Sequence, residues 1–321
     1  MICLGIESTA HTFGVGIVSS KGNILANVKR VFTTEKGGMI PTEVAEHHKK
    51  IAKIVIDEAI IAAKIKPEDI DLISYSRGPG MAPSLHVGFN QAKQLSESLK
   101  KPLIPVNHCV AHLEIGKIQT KAKDPVLLYT SGANTQIIAY EGKRYRIFGE
   151  TLDQGVGNFL DSFARYMGLG FPGGPKIYEL SLSSKNYIKL PYSVKGMDIS
   201  VAGLLTNLKT KYDQGLNQND LCYSAQETVF AMLLEISERA MAHCNKKELL
   251  LGGGVACNKR LQEMANIMCK ERNAKCFIPE NQVLVDNGAM IAWQGYLERN
   301  SKEKQDIRPY ERTDDVIVNW I

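Results

Sequence analysis

Leu4-Gly5-Ile6-Glu7-Ser8-Thr9-Ala10 and Leu128-Tyr129-Thr130-Ser131-Gly132-Ala133 share one design: a short apolar strand that ends in a turn of small residues and is followed by a strand running back. Around the first copy, apolar stretches at 2–6, 13–18 and 24–32 are separated by Ser8-Thr9-Ala10-His11 and Ser19-Ser20-Lys21-Gly22-Asn23, which predicts three strands joined by tight turns. Val44, Ile51, Ile54, Val55, Ala59 and Ala62 recur at helical spacing and predict a helix over about 43–63. A strand over 70–76, a helix after Pro83, a strand over 102–106 and a helix from near His108 complete the set. Around the second copy the plan restarts, with strands at 126–130, 135–140 and 145–150 and a helix at 157–167. Helices at about 202–214 and 221–243, a strand at 249–251, a helix at 259–269, a strand at 275–278 and a helix at 287–299 follow. The duplication predicts an α/β protein of two lobes, 1–120 and 121–321, each a mixed sheet covered by helices. Ligands of such sheets bind in the crevice beyond the strand ends. The charged tail after Asn300 is expected to be irregular, with Val316, Val318, Trp320 and Ile321 docking back.

The chain has 321 residues, 44% of them hydrophobic and 23% charged, as expected of a soluble two-domain globular protein. No apolar run approaches the ~18 residues of a membrane span. The N-terminus reads as a core strand, not a signal peptide. Cysteines at 3, 109, 222, 244, 257, 269 and 276 are odd in number and form no CxxC, which points to reduced thiols and a cytoplasmic location. The net charge of +5 is compatible with nucleic acid but shared by many metabolic enzymes.

Several groups carry chemistry. His108 and His112 are four residues apart, so on a helix both imidazoles reach one metal ion. The plain alternative is a helix capped by Asn107 with two incidental histidines. Asp286, just ahead of a helix, is a candidate ligand or an N-cap. Glycine-rich turns at 131–135, 171–175 and 251–256 suit phosphate or sugar, although each alone is commonly only a turn. Asp161 precedes Arg165 by four residues, which fits either a surface ion pair or a carboxylate for ribose hydroxyls. GxxxxGK[ST] does not occur, and the one GxGxxG match, Gly168–Gly173, follows the helix expected at 157–167 and not a strand, which argues against P-loop and Rossmann readings.

Together, Gly5–Ala10, Gly78-Pro79-Gly80-Met81-Ala82-Pro83-Ser84-Leu85, Val106-Asn107-His108-Cys109-Val110-Ala111-His112, Tyr129–Gly132, Gly149-Glu150-Thr151-Leu152-Asp153, Phe171–Pro175, Gly252–Asn258 and Asp286-Asn287-Gly288-Ala289-Met290 resemble the TsaD/OSGEP family of tRNA threonylcarbamoyladenosine transferases over almost the whole chain. The ending Arg312–Trp320 resembles the archaeal and eukaryotic branch, whose members work in the KEOPS complex. The resemblance implies the actin/Hsp70/sugar-kinase fold. It implies one divalent metal ion on His108, His112, Tyr129 and Asp286, with Fe2+ expected and Zn2+ or Mg2+ as alternatives. It implies ATP or threonylcarbamoyl-AMP in the cleft, its phosphates on Tyr129, Thr130, Ser131, Gly132 and Ala133, its ribose at Asp161 and Gly174, its base near Asn258. The implied partners are tRNA and KEOPS subunits, among them a small protein kinase, fused to some archaeal relatives, and a small dimerising subunit. Ala133, Ala202, Tyr178 and Thr42 depart from the family's usual Gly, Ser, acidic residue and Arg. No residue is singled out as general base.

Three other readings compete. A small-molecule kinase of this fold would need a carboxylate base and Mg2+, whereas imidazoles favour Fe or Zn. An ATP-gated binding module would need no metal set. A zinc peptidase would need Glu where Cys109 stands.

Overall fold

A computed structural model describes residues 1–34 and 39–321. The first lobe opens with β1 (Ile2–Glu7), β2 (Thr12–Ser19) and β3 (Ile24–Val31), then α1 (Pro41–Ala63), β4 (Leu72–Gly78), α2 (Ala82–Leu99), β5 (Leu103–Asn107) and α3 (His108–Thr120). The second repeats the theme with β6 (Val126–Thr130), β7 (Thr135–Glu141), β8 (Arg144–Glu150), α4 (Val156–Tyr166) and α5 (Gly174–Ser181). A small hairpin of β9 (Val194–Lys195) and β10 (Asp198–Ile199) leads to α6 (Ala202–Asp213) and α7 (Gln218–His243). β11 (Glu248–Gly252), α8 (Lys259–Glu271), β12 (Lys275–Phe277), α9 (Asn281–Leu284) and α10 (Gly288–Leu297) complete it. The sheet orders are β3-β2-β1-β4-β5 and β12-β11-β6-β7-β8, so each lobe runs three antiparallel strands into parallel ones. Every strand and helix expected from the sequence is present, with ends shifted by a few residues.

Strand alternation decides which way each sheet presents its side chains. Leu4 and Ile6 pack towards α1 and α2, while Cys3 faces α10 and α3. In the second sheet, Val126 and Leu128 join the core beneath α4, α7 and α8. Leu127 and Tyr129 point the other way, onto Cys109, Val110 and Leu113 of α3. Helix α3 is thus wedged between the two sheets, and all of its residues from His108 to Gly116 are buried. An amphipathic stripe is absent because both faces are covered.

The boundary at residue 120 falls between the two sheets, yet α10 does not lie on the second lobe as the 121–321 division expects. It packs on β1, β2 and β4 of the first. The cause is a glycine slot: a Cβ on Gly5 would lie 2.1 Å from Ala292 N, and one on Gly16 would lie 2.0 Å from Ala289 N. Only bare backbone lets the helix approach so closely. The tail also returns. Arg77, 6% exposed, holds Glu311 at 2.6 Å, and Trp320 donates to Glu114 of α3 at 2.9 Å. Val316, Val318 and Trp320 dock as expected, whereas Ile321 stays exposed. Among the described residues, no helix is long and apolar enough to cross a membrane.

Candidate metal and nucleotide site between the lobes

Asn107 caps α3, its side chain accepting from Cys109 N and Val110 N at 3.0 and 3.1 Å. The cap fixes where the helix starts and so turns His108 and His112 onto one face. Their rings lie 4.8 Å apart, centroid to centroid. Asp286 is not an N-cap: Asn287 takes that role at α10, accepting from Met290 N at 3.0 Å and donating to Val285 O at 2.8 Å. The Asp286 carboxylate is left to face the histidines, 3.3 Å from His112 Nε2 and 3.5 Å from His108 Nε2. Tyr129, aimed at α3 by strand parity, places its hydroxyl 3.0 Å from His108 Nε2. Ligand atoms of His108, His112 and Asp286 all fall within 4.8 Å of one another.

Sequence reasoning missed Glu7. It is fully buried, accepts from Thr9 N at 2.6 Å, and binds His108 Nδ1 at 2.9 Å. That contact leaves Nε2 free to face Asp286 and Tyr129, the arrangement in which a carboxylate orients a metal-binding imidazole. The available signal was a lone carboxylate in an otherwise apolar strand, which cannot be buried without a cationic partner.

A buried carboxylate, Glu7, and a partly buried one, Asp286, beside two imidazoles call for positive charge, which a divalent ion or, without one, a proton would supply. Burial pushes the His108 imidazole down, but the charge and hydrogen bond of Glu7, with Asp286 behind it, raise it overall to about 9. Burial dominates at His112, which is pushed down. Burial opposes ionisation of Asp286, yet the His112 hydrogen bond and the His108 charge hold it well below the usual carboxylate range. Burial raises the Tyr129 phenol well above its ordinary value. A pH dependence of the metal-free protein follows. The His108 pKa rises from 6.5 in the unfolded chain to about 9 in the fold, so its contribution is complete below pH 6.5 and is lost as pH climbs through 9. Thermal melts of chelator-treated protein should fall across that window, while metal-loaded protein, in which the ion replaces the proton, stays flat.

Beside this cluster, a cavity of about 410 Å³ runs between the lobes, walled by Gly132, Asp161, Gly174, Tyr178, Asn258 and Val285 among others. A larger cavity of about 650 Å³ under the C-terminal tail contains none of the candidate ligands, so size does not select the site. The 131–134 turn is braced by α4: Gly157 N donates to Ser131 O at 3.0 Å and Asn158 N to Gly132 O at 2.8 Å. Ala133 is exposed there, which explains how the methyl fits where the family favours glycine. Gly253, at φ +89°, lets β11 turn tightly against Thr130.

Asp161 makes no ion pair with Arg165 among the described residues. Its Oδ1 instead accepts from Gly173 N at 2.7 Å, holding the start of α5. Tyr178 lines the cavity, whereas neighbouring Glu179 is exposed and does not. Asn258 lines it too, but its amide is engaged: Oδ1 caps α8 at Arg260 N, 2.9 Å, and Nδ2 donates to Gln226 at 2.5 Å. His11, not singled out from the sequence, enters the same wall from the first lobe and meets Phe171 edge-on at 5.5 Å. Cys109 is buried, and burial pushes its thiol up to about 12, so it supplies no nucleophile.

A family model described as TsaD, tRNA N6-adenosine threonylcarbamoyltransferase, matches residues 23–293. The chain belongs to the TsaD family. One TsaD relative, the tRNA N6-adenosine threonylcarbamoyltransferase of Thermococcus kodakarensis, is 51% identical over 326 residues, with all of both chains covered. A probable bifunctional tRNA threonylcarbamoyladenosine biosynthesis protein of Methanocaldococcus jannaschii is 52% identical over 326 residues. All of this chain is covered there but only 61% of the relative, and 59% of the corresponding protein of Methanococcus vannielii. The chain therefore spans about three fifths of these bifunctional relatives. Full-length HypF, in a phosphate- and nucleotide-bound form, superimposes with a TM-score of 0.64 at 11% identity, covering 95% of this chain and 56% of HypF. A ROK-family glucokinase of Streptomyces griseus, in complex with glucose and AMPPNP, gives 0.54 at 12% identity over 94% and 100%. At such identities these structures establish the fold alone, and it is the expected actin/Hsp70/sugar-kinase one.

Proposed function

We propose that this chain is the catalytic subunit of a KEOPS-type tRNA N6-adenosine threonylcarbamoyltransferase. It transfers the threonylcarbamoyl group of threonylcarbamoyl-AMP to the adenosine that follows the anticodon in tRNAs reading ANN codons. The observation that carries the reading is the convergence of His108, His112 and Asp286, with Tyr129 beside them, next to an interlobe cavity that has a glycine turn at one end and Asp161 on its wall. His108, His112 and Asp286 would hold one divalent ion, with Tyr129 as a fourth ligand or bound through water. Imidazole donors favour Fe2+ or Zn2+ over Mg2+, and of these Fe2+ is the ion that the family resemblance implies. Bound there, the ion would supply Lewis acidity and a template for phosphate and acyl oxygens.

The backbone of Tyr129–Ala133 would cradle the phosphate of ATP or of the acyl-adenylate. Asp161 and Gly174 would face the ribose, and Asn258 the adenine end. In the transfer, the exocyclic amine of the tRNA adenosine bonds to the carbamoyl carbon and loses a proton. The carbon–oxygen bond to phosphate breaks, and AMP departs with the electron pair. The two lobes would hold the reactants in line, which by itself accounts for much of a barrier reduction.

Asp161 offers a local test. Asp161→Ala would remove both the ribose acceptor and the Gly173 brace, so Asp161→Asn, whose carbonyl still accepts from Gly173, is the cleaner variant. Calorimetry should show adenylate binding weakened by about 1.5–3 kcal/mol, the scale of a lost hydrogen bond to a charged group. Unchanged affinity would remove Asp161 from the ribose.

The proposed partners are tRNA, a small protein kinase and a small dimerising subunit, in the cytoplasm. The net charge is only +5 and the lysines are scattered, with no run longer than two. The isolated chain should therefore bind tRNA weakly and with strong salt dependence, and partners should tighten binding. Titration at two salt concentrations checks this, and tight, salt-insensitive binding by the lone chain would contradict it. The deciding experiment is reconstitution with threonylcarbamoyl-AMP, unmodified tRNA and partner subunits. Sugar or acetate phosphorylation without transfer would replace this reading with a kinase.

A further inference from the structure

We propose that Glu311, in the C-terminal tail, is a positioning residue for the metal centre: by holding the Asn107 side chain it fixes the cap from which His108 and His112 project. The proposal rests on the metal centre proposed above and not on the identity of the group transferred.

A helix cap works only while its acceptor stays turned to the free N–H groups. The Asn107 amide ends in an oxygen and an NH2 of nearly equal size, and interchanging them would aim donors at donors. Glu311 settles the choice. Its Oε2 accepts from Asn107 Nδ2 at 3.0 Å, while Oδ1 of the same amide accepts from Cys109 N and Val110 N at 3.0 and 3.1 Å. A carboxylate only accepts and a backbone N–H only donates, so both ends of the amide are assigned. His108 is the first residue of the helix so capped, and His112 follows about one turn later.

Glu311 can direct Asn107 because it is itself held. It is 7% exposed, and its Oε1 accepts from Arg77 Nε at 2.9 Å, Arg77 Nη2 at 2.6 Å and Arg308 Nη1 at 3.2 Å, which leaves Oε2 to Asn107. Arg77 belongs to β4, and its carbonyl accepts from Arg308 N at 2.7 Å. Further along, Thr313 Oγ1 donates to Gln136 Oε1 of β7 at 3.0 Å. The tail thus crosses the start of α3 with anchors in both sheets. Among the described residues, none between Leu297 and Val316 joins an apolar cluster, and the cavity of about 650 Å³ lies under this segment beside Arg77 and Asn107. Polar contacts, not apolar packing, therefore set where Glu311 stands. Its hydrogen bonds reach none of the four candidate ligands, so its effect on them passes through Asn107.

The test is the Fe2+ affinity of the full chain, measured without oxygen by competition with a chromophoric chelator. Wild type is compared with Glu311→Gln, Asn107→Asp and the two substitutions combined. Glu311→Gln lets the amide turn and should weaken Fe2+ binding by about 10-fold, the lower end of the loss for an outer partner of a ligand. Asn107→Asp sets two carboxylates against each other. Its added charge alone would tighten a cation, so binding weaker than wild type marks a displaced cap. In the combined variant the carboxylate and the amide have changed places and the hydrogen bond returns with its polarity reversed. Fe2+ should then bind tighter than in either single variant. If Glu311 served only to pair with Arg77, the second substitution would recover nothing. Circular dichroism checks folding; should Glu311→Gln not fold, Asn107→Asp, which keeps the Arg77 pair, carries the test. Wild-type affinity in Glu311→Gln, affinity at or above wild type in Asn107→Asp, or no recovery in the combined variant overturns the proposal. If the wild-type complex makes no modified tRNA while the affinities follow the expected order, the proposed reaction fails and the positioning stands. If transfer proceeds and all four affinities are equal, only the positioning fails. If wild type binds no Fe2+, the positioning falls together with the metal centre.

Discussion

His112→Ala is expected to leave a folded protein that has lost its metal and its transfer activity. His112 touches Asp286 but not Glu7, so its removal takes one ligand while the buried Glu7–His108 pair stays intact. Loss of an outer partner of a metal ligand typically costs 10–100-fold in affinity, so loss of a direct ligand should cost at least about 100-fold. His108→Ala should give the same metal content and the same inactivity but a less stable protein, because it strands the Glu7 carboxylate at zero exposure. Breaking one side of a buried charged pair costs about 3–5 kcal/mol. Glu7→Gln should fall between the two in stability and lose less metal affinity than either, about 10–100-fold. Metal analysis of the purified variants, circular dichroism and single-turnover transfer separate these outcomes. Full occupancy and full activity in His112→Ala would remove the assignment.

Gly16→Ala, in contrast, should damage the whole molecule. The added methyl would sit 2.0 Å from Ala289 N and 2.4 Å from Ala289 Cα, both backbone atoms of α10. No rotamer change relieves that overlap, so the helix must lift from the sheet. Overpacking ordinarily costs about 1–3 kcal/mol, and here at least the upper figure is expected because only backbone can yield. The metal site should weaken as well, since Asp286 stands two residues before α10 and moves with it. Gly203→Ala is the control. Nothing lies within 4 Å of its added Cβ, it sits in the first turn of α6, and it should change stability by no more than about 1 kcal/mol. Urea denaturation of both variants, with metal content measured in parallel, tests the pair. Equal stability of Gly16→Ala and wild type would show that α10 does not bear on the sheet as described.

Local signals in the chain determined the duplicated strand pattern, the helices between the strands, and the histidine pair on one helical face. They act over a few residues: alternation for strands, three-to-four spacing for helices, small residues for turns. The family resemblance carried by the ordered motifs added the fold and the candidate ligand set. Other features were decided by contacts between residues far apart in sequence, which no local pattern encodes. Whether Asp286 caps a helix or faces a metal was open in the sequence, and Asn287 decided it by taking the cap. Glu7 became part of the site only when β1 came up against α3, at a sequence separation of 101 from His108. Asp161 could have paired with Arg165, but α5 drew its carboxylate to Gly173 instead. The boundary near residue 120 was legible as the end of one repeat. The return of α10 to the first sheet was not, because it depends on bare glycine backbone on one element meeting small residues on another.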